Sequence, residues 1–150
     1  MDQLTNVVIY TDGGCDPNPG PGGWAALLRF GVHEKVLSGA EPSTTNNRME
    51  LTAAIQALSA LKNPCQVDFY TDSQYVQRGI SEWLPAWRQR GWRRKAGALA
   101  NLDLWQALDT LVQQHQITWH WVRGHAGNRD NARVDRLVRQ ARAGLVQNAP

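Results

Sequence analysis

Along this chain the spacing of apolar and polar positions switches between the period of a strand and that of a helix. Val7, Val8, Ile9 and Tyr10 form an unbroken apolar run closed by Thr11-Asp12-Gly13-Gly14. Such a run bounded by turn residues predicts a strand buried on both faces, and so a central one. Gly13 to Gly23, rich in glycine and proline, predicts a loop. It has neither G-x-G-x-x-G nor Gly-Lys-Ser/Thr, so it does not read as a nucleotide-phosphate loop. Trp24 to Phe30 and Val32 to Ala40 predict two strands turning at Gly31, an antiparallel meander with the first. The period changes at Ser43-Thr44-Thr45, good helix-capping chemistry. Leu51, Ala54, Ile55, Leu58 and Leu61 then recur at helical spacing until Asn63-Pro64. Val67 to Thr71 predicts a second buried strand, and Ser73 the cap of a short helix through Ile80. Leu102, Trp105, Leu108 and Leu111 mark another helix, Ile117 to Val122 a strand, and Gly124 to Asn128 a loop. Val134, Leu137, Val138 and Ala141 mark a last helix that frays near Gly144, and 144–150 reads as a disordered tail.

Helices separate every strand after the third. Parallel joins need crossovers of about a dozen residues, usually helical. The prediction is an α/β chain: a mixed five-stranded sheet with helices on both faces, in a single domain over 1–143. The length of 150 residues suits one domain with a real core.

Charge changes this picture little, because Lys and Arg number 16 against 13 Asp and Glu. Placement matters more than the excess. The two cysteines, Cys15 and Cys65, show no C-x-x-C spacing, which suggests a reducing compartment; the expected location is the cytoplasm. The start has no basic stretch followed by an apolar one, and no apolar run approaches the length of a span. Neither a signal peptide nor a membrane segment is expected.

The candidate chemistry is carboxylate. Tyr10-Thr11-Asp12 is repeated as Tyr70-Thr71-Asp72. If both strands lie parallel in one sheet, Asp12 and Asp72 emerge at the same edge, where open α/β sheets place their sites. Glu50 lies one turn into the first long helix and Asp135 early in the last. Each alone has an ordinary reading: Asp12 a turn residue, Asp72 a helix cap, the other two complements to a helix dipole. Together, four carboxylates cannot share a site ionised unless a cation binds. All-oxygen ligands select a hard ion, Mg²⁺ or Mn²⁺. The four His make no zinc set, and His115 and His120 read as structural. His125, flanked by glycines in Arg123-Gly124-His125-Ala126-Gly127, is either an inert loop residue or a proton shuttle beside the metal. Three of seven Trp fall within ten residues, in a segment that carries Arg88, Arg90, Arg93, Arg94 and Lys95. That is either a nucleic-acid backbone surface or a solvated basic face over core Trp87 and Trp92.

With these residues placed, the chain resembles the bacterial ribonuclease HI family from about Val7 to Ala143. The matching pieces are Tyr-Thr-Asp-Gly-Gly with its Gly/Pro loop, Thr44 to Glu50, Tyr70-Thr71-Asp72-Ser73-Gln74, the Trp-rich basic segment, Val122 to Gly127, and Asn131 to Asp135. The resemblance implies a ribonuclease H-like fold and an endonuclease that cuts the RNA strand of RNA–DNA hybrids, leaving 5′-phosphate and 3′-hydroxyl ends. It implies that Asp12, Glu50, Asp72 and Asp135 bind two Mg²⁺ ions and that His125 helps proton movement. It implies minor-groove contacts from Asn18, Asn46, Asn47 and Gln74, and a DNA-phosphate pocket from Thr45 and Asn101. Trp83, Arg88, Arg90 and Arg93 would belong to the family's basic protrusion. The expected state is a monomer whose partner is the hybrid. Departures from the pattern are the uncharged Ala96 to Ala100, the wording Asn128-Arg129-Asp130, and Arg136 where Glu is frequent. Two other readings remain: a non-catalytic hybrid-binding module, and a nuclease of the same fold that cuts DNA.

Overall fold

The computed structural model describes residues 4–92, 100–122 and 129–147. Five strands, β1 (Thr5–Cys15), β2 (Gly20–Phe30), β3 (His33–Thr44), β4 (Cys65–Thr71) and β5 (Gln116–Trp121), form one sheet in the order β3-β2-β1-β4-β5. β1, β2 and β3 make the antiparallel meander; β4 is parallel to β1 and β5 to β4. This is the mixed sheet that the pattern predicts, with its most apolar run at the centre.

Helices cover both faces. On one, α1 (Asn46–Ser59) and α4 (Leu102–Gln113) bury Leu51, Leu58, Trp105 and Leu108 against Val7, Ile9, Leu28 and Phe69. On the other, α5 (Arg129–Gln147) sets Val134 and Val138 on Tyr10, Ala25 and Leu27. Alternate residues of β1 and β2 therefore feed two cores, the arithmetic of a period of two.

Three boundaries differ from the sequence reading. The glycine-rich segment is mostly strand: Gly13, Gly14 and Cys15 pair with Trp24, Gly23 and Gly22, so only residues 16–19 turn. The glycines serve close approach rather than a turn, since a Cβ on Gly23 would stand 2.7 Å from the Val138 carbonyl oxygen. Second, the helix capped by Ser73 does not end at Ile80. α2 (Gln74–Arg78) passes through a π-helical turn (Gly79–Trp83) into α3 (Leu84–Gln89). Third, α5 runs through Gly144 to Gln147, so the expected disordered tail is helical over 144–147, while 148–150 lies outside the described residues. One helical glycine costs only about 1 kcal/mol against Ala, too little to end a helix anchored by an apolar face.

The π-turn and α3 bring the tryptophans inward. Trp87 lies 5.8 Å from the buried ring of Trp105 and 6.0 Å from Trp92, and Trp83 lies 5.9 Å from Trp87. Trp83, Trp87 and Trp92 are all half-buried and pack against the core around Trp105. No described helix is long and apolar enough to cross a membrane.

Candidate active site

β1 and β4 pair in parallel with Tyr10 opposite Tyr70. Two residues on, the parallel pairing has stopped: Asp12 still pairs with Ala25 inside β1, and Asp72 follows the end of β4, so both carboxylates stand where the two strands part. Tyr10 stacks on Tyr70 at 4.8 Å and Tyr70 on His120 at 4.4 Å, a row of rings one rung below the acids. His120 also meets Asp68 at 2.8 Å. His115 accepts the Cys65 backbone N–H through Nδ1, and burial pushes its pKa down. Both have the structural roles the sequence suggests.

Glu50 reaches the same edge from α1. Thr45 caps that helix, its hydroxyl accepting from the Arg48 N–H at 3.2 Å. Gly13 lets the helix start lie directly on β1: a Cβ there would be 2.7 Å from the Glu50 nitrogen. The Ser73 hydroxyl donates to Glu50 Oε2 while Ser73 Oγ accepts from the Val76 N–H at 3.0 Å, so one residue caps α2 and orients Glu50. The Glu50 pKa is pushed up to about 8, first by burial and then by the charges of Asp12 and Asp72. These three acids are therefore gathered within reach of one another's field.

Asp135 is placed differently. It sits on α5, paired with Arg139 at 2.7 Å, and is not among the charges that shift Glu50. Among the described residues no three His, Cys, Asp or Glu side chains form a ready metal cluster. The donor chemistry nevertheless fits a hard dication. The gathered groups are carboxylates only, and burial followed by the neighbouring negative charges raises one of them, a shift that a cation beside it would oppose.

A pH dependence follows. Glu50 ionises near 4.5 in the unfolded chain and near 8 in the folded one. Between these values the folded state holds a proton that the unfolded state has released, so its stability falls as pH rises. Glu50→Gln should gain on the parent protein steadily from pH 4.5 to 8 in EDTA, measured by thermal unfolding. Parallel Tm curves for the two proteins would contradict the assignment.

The predicted substrate residues cluster around the start of α1. The Asn46 side chain accepts from the Cys15 N–H at 2.6 Å, and Asn18 Oδ1 accepts from the Asn46 N–H at 3.1 Å. Asn18, Asn47 and Gln74 are exposed. Asn101 precedes α4 with φ +58 and bridges Arg48 and the Tyr75 hydroxyl, while Arg48 also pairs with Asp103 at 2.9 Å. This network fixes Thr45 and Asn101 on neighbouring helix starts. Arg90 is exposed at the end of α3. Arg88 is exposed as well and forms an ion pair with Asp109, a buried acid on α4. His125 and Arg93 lie outside the described residues, as do Arg94 and Lys95.

Sequence reasoning passed over Ser73 as the residue that holds Glu50, Arg48 as the strut between helix starts, and a charge network at α5. In that network Arg29 grips Asp130 at 3.0 and 3.1 Å and Glu34 at 2.9 Å, and Arg133 also reaches Glu34. The Ser73 role had a signal in Asp72-Ser73-Gln74, read only as a cap. The others join residues too far apart in the chain for spacing to show.

A mixed sheet with one carboxylate on central β1, one just past the end of parallel β4 and a third from the first helix defines an α/β fold with an acidic cluster. The RNase H family model matches residues 4–143. A ribonuclease H of Cupriavidus pinatubonensis is 59% identical, over 95% of this chain and 99% of its own. One from Halorhodospira halophila is 60% identical, over 97% and 98%. Among solved structures, LC9-RNase H1, a type 1 RNase H with the type 2 active-site motif, superimposes with a TM-score of 0.86 at 35% identity, over 96% of this chain and 75% of that one. The chain belongs to the ribonuclease H family and is a nuclease.

Proposed function

We propose that this chain hydrolyses the RNA strand of RNA–DNA hybrids as an endonuclease, by two-metal-ion catalysis, and releases 5′-phosphate and 3′-hydroxyl ends. The observation that supports this most is the elevated Glu50, half-buried and within the field of Asp12 on β1 and Asp72 just past β4. Asp12, Glu50, Asp72 and Asp135 would hold two Mg²⁺ ions, or Mn²⁺ in their place. Bound there, the ions supply a nucleophilic water and charge stabilisation for the leaving 3′ oxygen. The protein's own part is positioning. Ser73 holds the Glu50 carboxylate, and the hydrogen bonds between β1 and α1 fix Asp12 against it. Arg139 pairs with Asp135 in the free protein and would release it to a bound cation. The 2′-hydroxyls that distinguish RNA from DNA would meet Asn18, Asn46, Asn47 and Gln74 in the minor groove. Thr45 and Asn101 would take a phosphate of the DNA strand, and Trp83, Arg88, Arg90 and Arg93 would belong to the surface that follows the duplex.

His125 would move the proton that cleavage transfers. His125→Ala is expected to slow turnover by about 10²–10⁴ with little change in KM. A variant at the parent rate, or one as inactive as a carboxylate variant, would remove that role. We also take the chain to act as a monomer in the cytoplasm; its thiols at Cys15 and Cys65 are unpaired. The deciding experiment is cleavage of an end-labelled hybrid with Mg²⁺ beside duplex DNA and duplex RNA. Loss of the RNA strand of the hybrid alone is expected. Cutting of duplex DNA at a similar rate would assign the fold to a DNA nuclease instead.

A further inference from the structure

α5 carries five arginines, at 129, 133, 136, 139 and 142, against two acids, Asp130 and Asp135. Its excess, 5 − 2 = +3, equals the formal net charge of the whole chain, +3. These charges stand where helix physics does not favour them. Cations help a helix in its last turn, and the last turn here has none. Arg133, Arg136, Arg139 and Arg142 follow one another at intervals of three, and like charges so spaced cost about 0.2–0.5 kcal/mol per pair. Arg133 is relieved by Glu34 and Arg139 by Asp135. Arg136 and Arg142 have no acid three or four residues away in either direction.

The path of the helix gives the arrangement meaning. Asp130 is held by Arg29, which pairs with Val8, four residues before Asp12. Further along, the Val138 carbonyl and the Arg142 N–H lie over Gly23, which pairs with Gly14, two residues beyond Asp12. α5 thus climbs along β1 and β2 and passes the carboxylate edge. Arg136 is exposed, Arg139 touches Asp135, and the charge of Arg142 is felt at Cys15 together with that of Glu41. From 136 to 142 the helix rises about 9 Å. That is the length of two to three phosphates of one strand, at about 3.4 Å each. α3 packs Leu84 and Trp87 with the core on the other face of the sheet and ends at the exposed Arg90. A duplex laid across the carboxylate edge would then have a basic element on each flank.

We infer that Arg136 and Arg142, with Arg139 between them, form a second phosphate-contact ridge that grips the backbone of the nucleic-acid substrate on the α5 side of the catalytic edge. This rests on the proposed action on hybrids and adds a surface to it. The alternative occupant of such a helix face is water alone, which leaves Arg136 and Arg142 with no acid one helical turn away on α5.

The test is the affinity of a fluorescein-labelled RNA–DNA hybrid, by anisotropy in EDTA over a salt series. The proteins are the parent, Arg136→Ala/Arg142→Ala, Arg136→Glu/Arg142→Glu and Arg136→Lys/Arg142→Lys, each checked for an unchanged thermal transition. Each phosphate contact contributes about 0.9 to the slope of log affinity against log salt. The alanine pair should lower that slope by about two, the glutamate pair should bind more weakly still, and the lysine pair should recover most of it. Should a double variant fail to fold, Arg136→Glu alone, at an exposed position, should lower the slope by about one. An unchanged slope with Kd within about twofold in the alanine and glutamate variants overturns the ridge. Cleavage of the hybrid by the parent protein, run in parallel with Mg²⁺, keeps the two ideas apart. A cleaving enzyme with an unchanged slope refutes the ridge only, whereas a lowered slope without cleavage refutes the proposed reaction only.

Discussion

Asp12→Asn and Asp72→Asn are each expected to leave no more than a few per cent of hybrid cleavage at saturating Mg²⁺, while hybrid binding in EDTA is kept. The side chains emerge at adjacent strand ends, and both charges act on Glu50. An amide keeps the volume and a hydrogen-bonding oxygen but removes the charge that a dication requires. The same substitution relieves repulsion, so the metal-free protein should be as stable as the parent or more so near pH 8. This opposition is the useful part of the prediction. A residue that matters only for folding loses stability and activity together, whereas these should lose activity and keep or gain stability. Substantial cleavage by either variant, or a clear fall in Tm in EDTA, would remove the residue from the catalytic set. The Glu50 pKa gives a further check: with one neighbouring charge gone, the gain of Glu50→Gln over its reference should still begin near pH 4.5 but level off below pH 8 and be smaller.

What the sequence showed and what it hid divide along physical lines. β1 was legible because a central strand buried on both faces must be apolar throughout, and Val7 to Tyr10 is. α1 and α4 were legible because each buries one face, at the spacing of Leu51, Leu58, Trp105 and Leu108. The meeting of Asp12 and Asp72 followed from two repeated strand ends once the strands were placed parallel. The glycine segment was misread because glycine has two uses, turning and thinness, and composition does not separate them. Here thinness dominates at Gly13 and Gly23. Arg88 shows the same limit for charge. Its position in a basic run suggests the surface place it has, but not that a buried acid 21 residues later pairs with it. Asp109 beside Leu108 did hint that an apolar helix face contained a carboxylate in need of a partner. Nothing in the spacing said which cation would supply it. Asp135 is the intermediate case, since the helix and the residue are where expected while its side chain is turned to Arg139.

Gly13→Ala should damage both stability and chemistry, by a route no surface residue offers. The added Cβ would fall against the backbone of Met49 and Glu50, 2.5 Å from the Met49 oxygen and 2.7 Å from the Glu50 nitrogen, with the Met49 carbonyl carbon nearer still. Backbone within the first turns of a capped helix cannot swing aside as a side-chain end can, so α1 must move off β1 or β1 must bend. Overpacking of this kind costs about 1–3 kcal/mol, read as a fall in the urea midpoint. The displaced parts are Glu50 and, one residue from the substitution, Asp12. Misplacement by about 1 Å can cost ~10²-fold in rate, and kcat should fall on that order even where the variant is fully folded. Hybrid affinity in EDTA should change far less, because the α5 arginines stand on the face of the sheet opposite α1. Gly144→Ala is the control. Nothing lies within 4 Å of a Cβ there, and the site is helical, so this variant should gain up to about 1 kcal/mol and keep the parent rate. Equal behaviour of the two alanine variants would mean that β1 and α1 do not meet at Gly13 as described, and that the carboxylate edge is assembled by some other contact.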